Sequence, residues 1–164
     1  MAEFGRGIKA GIVAGIISGI ISMVFSIIQY SALWDAVASY YEGLSGTGGF
    51  FTGMAEVSLI AMIPGLAIGA IIGGIIGGII FGLIYAAVYN SLPGSTSIMK
   101  GIVLSLIFWL IFTVALGYAS ASMIGIGMTF YGISLVFGLI SSLIWGFLLG
   151  TFWDKFAPKP AAGA

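Results

Sequence analysis

Four stretches of this 164-residue chain are long enough and apolar enough to cross a bilayer, and none holds an acid or a base except at its ends. A helix rises 1.5 Å per residue and must cover about 30 Å of hydrocarbon, so about 20 apolar residues suffice. The stretches cover residues 8–30, 57–89, 98–118 and 128–153. A charge at the bilayer centre costs about 2.5–3.5 kcal/mol on insertion scales, so uncharged centres fit lipid-embedded helices and disfavour an ion pathway. A mean hydropathy of +1.23, with 60% hydrophobic and 6% charged residues, excludes an ordinary water-soluble domain. The expected fold is all-α: one integral membrane domain over 1–164, with four transmembrane helices arranged as two tandem helical hairpins. The intervening segments are an outer amphipathic segment and loop at 31–56, an inner loop at 90–97, an outer loop at 119–127 and a tail at 154–164.

The charges are sorted by sign. Arg6, Lys9, Lys100, Lys155 and Lys159 sit at the N-terminus, beside the second connection and in the tail, whereas the first and third connections have no basic residue. By the positive-inside bias both termini lie in the cytoplasm of a multi-pass cell-membrane protein. The first connection carries Asp35, Glu42 and Glu56 with no basic partner. It reads either as a cation- or partner-binding loop or as a solvated loop kept free of Lys and Arg for topology, the commoner explanation. Arg6, Lys9, the apolar run and Ala36-Val37-Ala38 imitate a signal peptide with its cleavage site. Against that reading, the run exceeds the 7–15 residues usual there and its glycine spacing matches the later helices.

After the first span, Ala32, Leu33, Ala36, Val37, Tyr40, Tyr41 and Leu44 recur at helical spacing, with Asp35, Ser39 and Glu42 between them. A short amphipathic surface helix is expected, with Trp34, Tyr40 and Tyr41 at headgroup level. Ser45-Gly46-Thr47-Gly48-Gly49 then reads as a flexible hinge. The second apolar stretch is longer than a span needs, so Pro64 is the expected start of its helix, with 57–63 at the outer interface.

The 27 glycines form ribbons. In the first span Gly7, Gly11, Gly15 and Gly19 recur every four residues beside Ala10, Ala14, Ser18, Ser22 and Ser26. The second repeats the device with Gly65, Gly69, Gly73 and Gly77 next to Ala70, Gly74, Gly78, Gly82 and Ala86, and the fourth with Ser134, Gly138, Ser142, Gly146 and Gly150. Residues four apart share a helix face, and side chains this small let two backbones approach closely enough for dispersion and Cα–H···O contacts. Lipid supplies no hydrophobic drive between helices, so these ribbons are the expected helix-packing surfaces. The third span offers only Gly101, Ser105 and Gly117, with Phe108, Trp109 and Phe112 between them, and is expected to be the most lipid-exposed or partner-facing.

Displacing the chain by 64 positions superposes Ala70, Gly74, Gly78, Gly82, Ala86 and Asn90 on Ser134, Gly138, Ser142, Gly146, Gly150 and Asp154. Gly11-Ile12-Val13 matches Gly101-Ile102-Val103 more weakly, at an offset of 90. This reads as a duplication of one hairpin about a pseudo-two-fold axis along the membrane normal, an arrangement some small transporters use. Composition alone would also align glycine ribbons, but the shared aromatic–polar ending favours duplication.

Without Cys or His there is no thiolate, disulfide or imidazole, and no metal, cofactor or catalytic residue is expected. The polar candidates for partner contacts are Gln29, Asn90 and Asp154, with Asp35, Glu42 and Glu56 in the outer loop; interfacial anchoring or capping is the blander reading of each. Gly69-Ala70-Ile71-Ile72-Gly73-Gly74 lies inside an apolar helix, with no preceding strand and no following Lys-Ser/Thr, so it is no phosphate loop. Five dispersed basic residues form no nucleic-acid surface.

Tyr89-Asn90-Ser91-Leu92-Pro93-Gly94, followed by Lys100-Gly101, resembles uncharacterised small prokaryotic membrane proteins, archaeal ones among them, that pair glycine-zipper helices with an inner Leu-Pro-Gly turn. The resemblance covers mainly the second connection; it implies a membrane fold and carries over no activity. The expected partners are membrane lipid and either further copies of the chain or other membrane subunits. The expected role is non-enzymatic, self-associating or accessory, the alternative being a small transporter or channel for a neutral or apolar solute.

Overall fold

A computed structural model of the chain describes residues 2–45, 58–119 and 128–158, and the account that follows concerns these. They form α1 (Ala2–Ala32), α2 (Trp34–Ser45), α3 (Leu59–Val88), α4 (Ser97–Phe108), a π-helical continuation of α4 (Trp109–Leu116) and α5 (Met128–Lys155). Four helices are long and apolar enough to cross a membrane: Glu3–Ala32, Leu59–Val88, Ser97–Ala119 and Met128–Lys155. The end of the bundle holding the start of α1, the α3–α4 turn and the end of α5 is here the terminal end, and the opposite one the loop end.

Local chemistry sets the helix limits. At α3 the Ser58 hydroxyl accepts from the Ala61 N–H at 3.3 Å and the Ser58 carbonyl from Met62 at 3.2 Å, so the helix begins before Pro64, which lies inside it. That corrects the expected start. Pro64 is the sixth residue of the helix, so its missing N–H leaves the Ile60 carbonyl without its helical donor, a loss confined to the first two turns. The turn into α4 has the Val88 carbonyl accepting from Ser91 and Leu92 at 2.9 and 3.1 Å. It then passes through Gly94 at φ 129°, a region side chains disfavour, before Thr96 caps α4 by accepting from the Met99 N–H at 3.2 Å. In α2, Val37 is buried while Asp35, Ser39 and Glu42 are exposed.

The helices meet along three seams. Between α1 and α3, a Cβ added at Gly7, Gly11, Gly15 or Gly19 would strike the carbonyl oxygen of Gly82, Gly78, Gly74 or Ala70 respectively. Each step of four down one helix is a step of four up the other, an antiparallel register held for four turns. Between α4 and α5, Gly101 faces the Gly146 carbonyl, Gly146 faces Ser105 and Gly150 faces Ser97. Between α1 and α5, Phe25 stacks on Phe137 at 5.0 Å, Tyr30 on Phe130 at 5.9 Å, and Ala10 and Ala14 join a buried cluster with Leu149 and Trp153.

That cluster, completed by Tyr85, Ala86 and Leu104, fills the terminal half of the bundle. Ser97, Gly101, Leu104 and Ser105 are buried, so the first half of the third span has one covered face, while Met99 and Ile107 on its other side are exposed. Its π-helical stretch has no buried residue. The small-residue face of α4 extends one turn earlier than expected, to Ser97, and this seats α4 on α5. The bundle's outer surface is aliphatic: Ile60 is 78% exposed and Ile68 61%.

Candidate functional site

Two places gather polar or unfilled structure. At the terminal end a clasp joins all four long helices. The Arg6 Nε donates to the Trp153 carbonyl at 2.5 Å, its guanidinium lies 4.3 Å above the Trp153 ring, and its terminal nitrogen sits 3.6 Å from the Asp154 carboxylate. The Ser97 hydroxyl donates its one hydrogen to Asp154 at 2.6 Å, so Tyr89 is the donor in the 2.7 Å contact between its hydroxyl and that of Ser97. Tyr85 donates to the Ser97 carbonyl at 2.6 Å. Trp153 is packed between Tyr89, stacked at 4.8 Å, and Tyr85, edge-on at 5.1 Å, and its indole N–H finds no acceptor among the described residues. Lys100 lies 4.1 Å over the Tyr89 ring. These groups are occupied with one another, so the arrangement fastens helices rather than presenting a reactive centre.

Toward the loop end, the two helix pairs separate around a cavity of about 620 Å³. This falls within the range of about 300–1,000 Å³ typical of small-molecule sites. Its α1 wall holds Gly15, Ser18, Ser22 and Ser26, and its α3 wall Gly65, Gly69, Gly73 and Gly77. Ser105 of α4, with Trp109, Phe112 and Thr113 of the π-helical stretch, faces Gly138, Ser141, Ser142 and Trp145 of α5. The floor is aromatic: Phe81 packs on Phe108 at 4.4 Å and on Trp145 at 5.5 Å. The π-helical winding carries Trp109 over Gly138, where an added Cβ would lie 3.2 Å from the indole nitrogen, and that N–H donates to the Leu135 carbonyl at 3.3 Å. Stretches of π-helix recur at functional sites because they re-aim side chains.

The residues singled out from the sequence fall in distinct places. Gly11, Gly15, Gly19, Gly74, Gly78 and Gly82 lie in the α1–α3 seam, and Gly146 and Gly150 in the α4–α5 seam. Gly138 and Ser142 line the cavity. At Gly69 and Gly73 an added Cβ would meet nothing within 4 Å, and at Gly77 only the Phe81 ring, at 3.8 Å. Gln29 is buried and donates to the Phe130 carbonyl at 3.0 Å and the Ser134 hydroxyl at 2.6 Å, tying α1 to α5 at the loop end. Asp154 bonds Ser97 and pairs with Arg6 rather than meeting Asn90, the residue a 64-position displacement aligns with it, which lies exposed in the α3–α4 turn. Asp35 and Glu42 are exposed on α2, and Glu56 lies outside the described residues. Among the described residues no group of three or more acidic side chains is placed to hold a metal ion.

Sequence reasoning did not foresee the roles of Arg6, Ser97 and Trp153. Arg6 reads only as a topology signal and Ser97 as loop, although Ser97 stands four residues before Gly101 on the same face.

Fold and site together define an all-helical bundle, four of whose helices can cross a membrane, with an uncharged cavity between two helix pairs. The chain belongs to DUF6789, a family of unknown function whose model matches residues 5–163. Comparison with curated proteins and with solved structures gives no match.

Proposed function

We propose that the chain is a non-enzymatic integral membrane protein that crosses the membrane four times with both termini in the cytoplasm. In this reading it works by association, with copies of itself or as a small accessory subunit of a larger membrane complex. The aliphatic outer surface supports the membrane placement, since water-soluble proteins rarely leave broad apolar faces uncovered. The confinement of basic residues to the terminal end and its flanks supports the orientation.

The observation that carries association is the open ribbon of α3. The Gly7–Gly19 ribbon of α1 lies against α3, and Ala10 and Ala14 are buried. Gly65, Gly69 and Gly73 instead have open space where a Cβ would stand. Small residues spaced by four along the cavity's α3 wall, which no other described residue covers, suit close approach by a helix from another chain. Native mass spectrometry in mild detergent or nanodiscs tests this: a defined complex that Gly69→Leu dissociates is expected. Monomer alone, with no co-purifying subunit, overturns it.

The two hairpins are read as a duplication about a pseudo-two-fold axis, packed through their small-residue ribbons. Equivalent contacts support this. Gly7 faces Gly82 and Ala86, as Gly101 faces Gly146 and Gly150. This relates the first and third helices by an offset of 94, one helical turn beyond the 90 read from Gly11-Ile12-Val13.

The cavity favours a second reading, transport of a neutral or apolar solute between the hairpins. Its terminal end is filled by Tyr85, Leu149 and Trp153, so passage would require that end to open. Absence of protein-dependent flux of neutral solutes in liposomes overturns this reading.

A further inference from the structure

Among the described residues the cavity has one side without a wall. The α1–α3 seam is closed by facing glycines, the α4–α5 seam by Trp109 over Gly138 and by the Tyr131 hydroxyl donating to the Val114 carbonyl at 2.8 Å, and the α1–α5 seam by Phe25 on Phe137 and by Gln29. Between α3 and the third span, the ring contacts of Phe81 with Phe108 and Phe112 bridge the gap at the cavity floor. The repeat explains the gap. Where α5 offers Phe137 and Ser134 to α1, the positions 64 residues earlier in α3 are Gly73 and Ala70, which carry neither ring nor hydroxyl.

We propose that this cavity binds one hydrocarbon chain of a bilayer lipid, which enters sideways between α3 and the π-helical stretch. The inference goes beyond association and rests on the membrane placement given above. At that depth only what dissolves in hydrocarbon reaches the mouth, because a charged or strongly polar solute would lose its hydration without compensation. The lining matches such a visitor. Among the described residues that line it none is charged, and Ser18, Ser26, Ser105, Ser142 and Trp109 each donate to a main-chain carbonyl, which leaves only the hydroxyls of Ser22, Thr113 and Ser141 in an otherwise apolar lining. An unfilled volume of this size would forfeit dispersion contacts along every wall, and methylene groups restore them. The Phe81–Phe108–Trp145 floor ends the path, so the chain is held rather than conducted.

The test reconstitutes the full chain in phosphatidylcholine vesicles containing dibrominated acyl chains, whose bromine quenches Trp109 and Trp145 where a chain lies against them. Wild type should reach half-maximal quenching at about tenfold less brominated lipid than Ser22→Leu/Ser142→Leu, a difference of about 1.4 kcal/mol in binding. That variant fills the cavity and leaves Gly65, Gly69 and Gly73 unchanged. Ser141→Leu, with helix content checked by circular dichroism, repeats the comparison should the double variant misfold. Unbrominated diacyl and diphytanyl phosphatidylcholine as competitors distinguish straight from isoprenoid chains. Equal quenching in wild type and a folded variant, with both proteins floating with the vesicles, overturns the proposal. So does a lipid-free dimer whose second copy covers the mouth. Failure to float would overturn the membrane placement itself.

Discussion

The hydroxyl of Ser97, the first residue of α4, donates to the carboxylate of Asp154 near the end of α5 at 2.6 Å. Because that same oxygen also accepts the Tyr89 hydrogen from α3, one buried serine ties three helices. Ser97→Ala leaves Tyr89 without its acceptor and Asp154 with only its ion pair to Arg6. It should lower stability by about 1–2 kcal/mol, read as a fall in the thermal midpoint in detergent. An unchanged midpoint would show that the hydroxyl contributes nothing.

Two alanine substitutions on α3 should behave oppositely. A methyl at Gly78 would run into the Gly11 carbonyl, backbone against backbone, and forcing α1 and α3 apart should cost about 1–3 kcal/mol. A methyl at Gly69 meets nothing and improves helix propensity by up to about 1 kcal/mol. Thermal unfolding of Gly78→Ala and Gly69→Ala, compared at equal oligomeric state, checks the sign of each.

Arg6→Lys preserves the charge and removes the shape. The planar guanidinium both donates to the Trp153 carbonyl and lies over its ring, two roles that a lysine ammonium cannot fill from the same position. A loss of about 1 kcal/mol is expected. Urea titration followed by tryptophan emission would report it, and a lysine variant as stable as wild type would reduce the contact to simple charge pairing with Asp154.

Since the chain has no cysteine, single cysteines report orientation cleanly. Asp35→Cys on α2 should react with an impermeant maleimide in intact cells, and Ser95→Cys in the α3–α4 turn only after permeabilisation. Both positions are exposed in the fold. The reverse pattern would invert the proposed topology.

The spans were legible because length and apolarity alone define them, and no detail of packing enters. Partners were not. A period of four places Gly65, Gly69 and Gly73 beside Gly74, Gly78 and Gly82 on neighbouring faces of α3, yet both sets look alike in sequence, and only the second meets α1. Any offset relating the first and third helices is ambiguous by one turn for the same reason: a ribbon shifted by four still matches itself. Gln29 and Asp154 stood out as polar residues near span ends, but their acceptors and donors lie more than 50 positions away and carry no local mark. The π-helical stretch was invisible because Trp109–Leu116 holds eight residues that suit either winding. The cavity carries no local mark either, because its lining comes from segments spread over more than 120 positions, from Gly15 to Trp145, that only packing brings together.

The clasp has a consequence for the order in which the molecule is made. Arg6 is made before its acceptor at Trp153, which lies 147 positions later in α5. The α1–α3 hairpin holds its full run of facing glycines as soon as residue 88 is in place, whereas Ala10, Ala14 and the guanidinium wait for their α5 partners until that helix is made. A chain cut short before α5 would therefore keep its first hairpin and expose an unpaired arginine, a mark by which quality-control proteases could distinguish unfinished copies from finished ones.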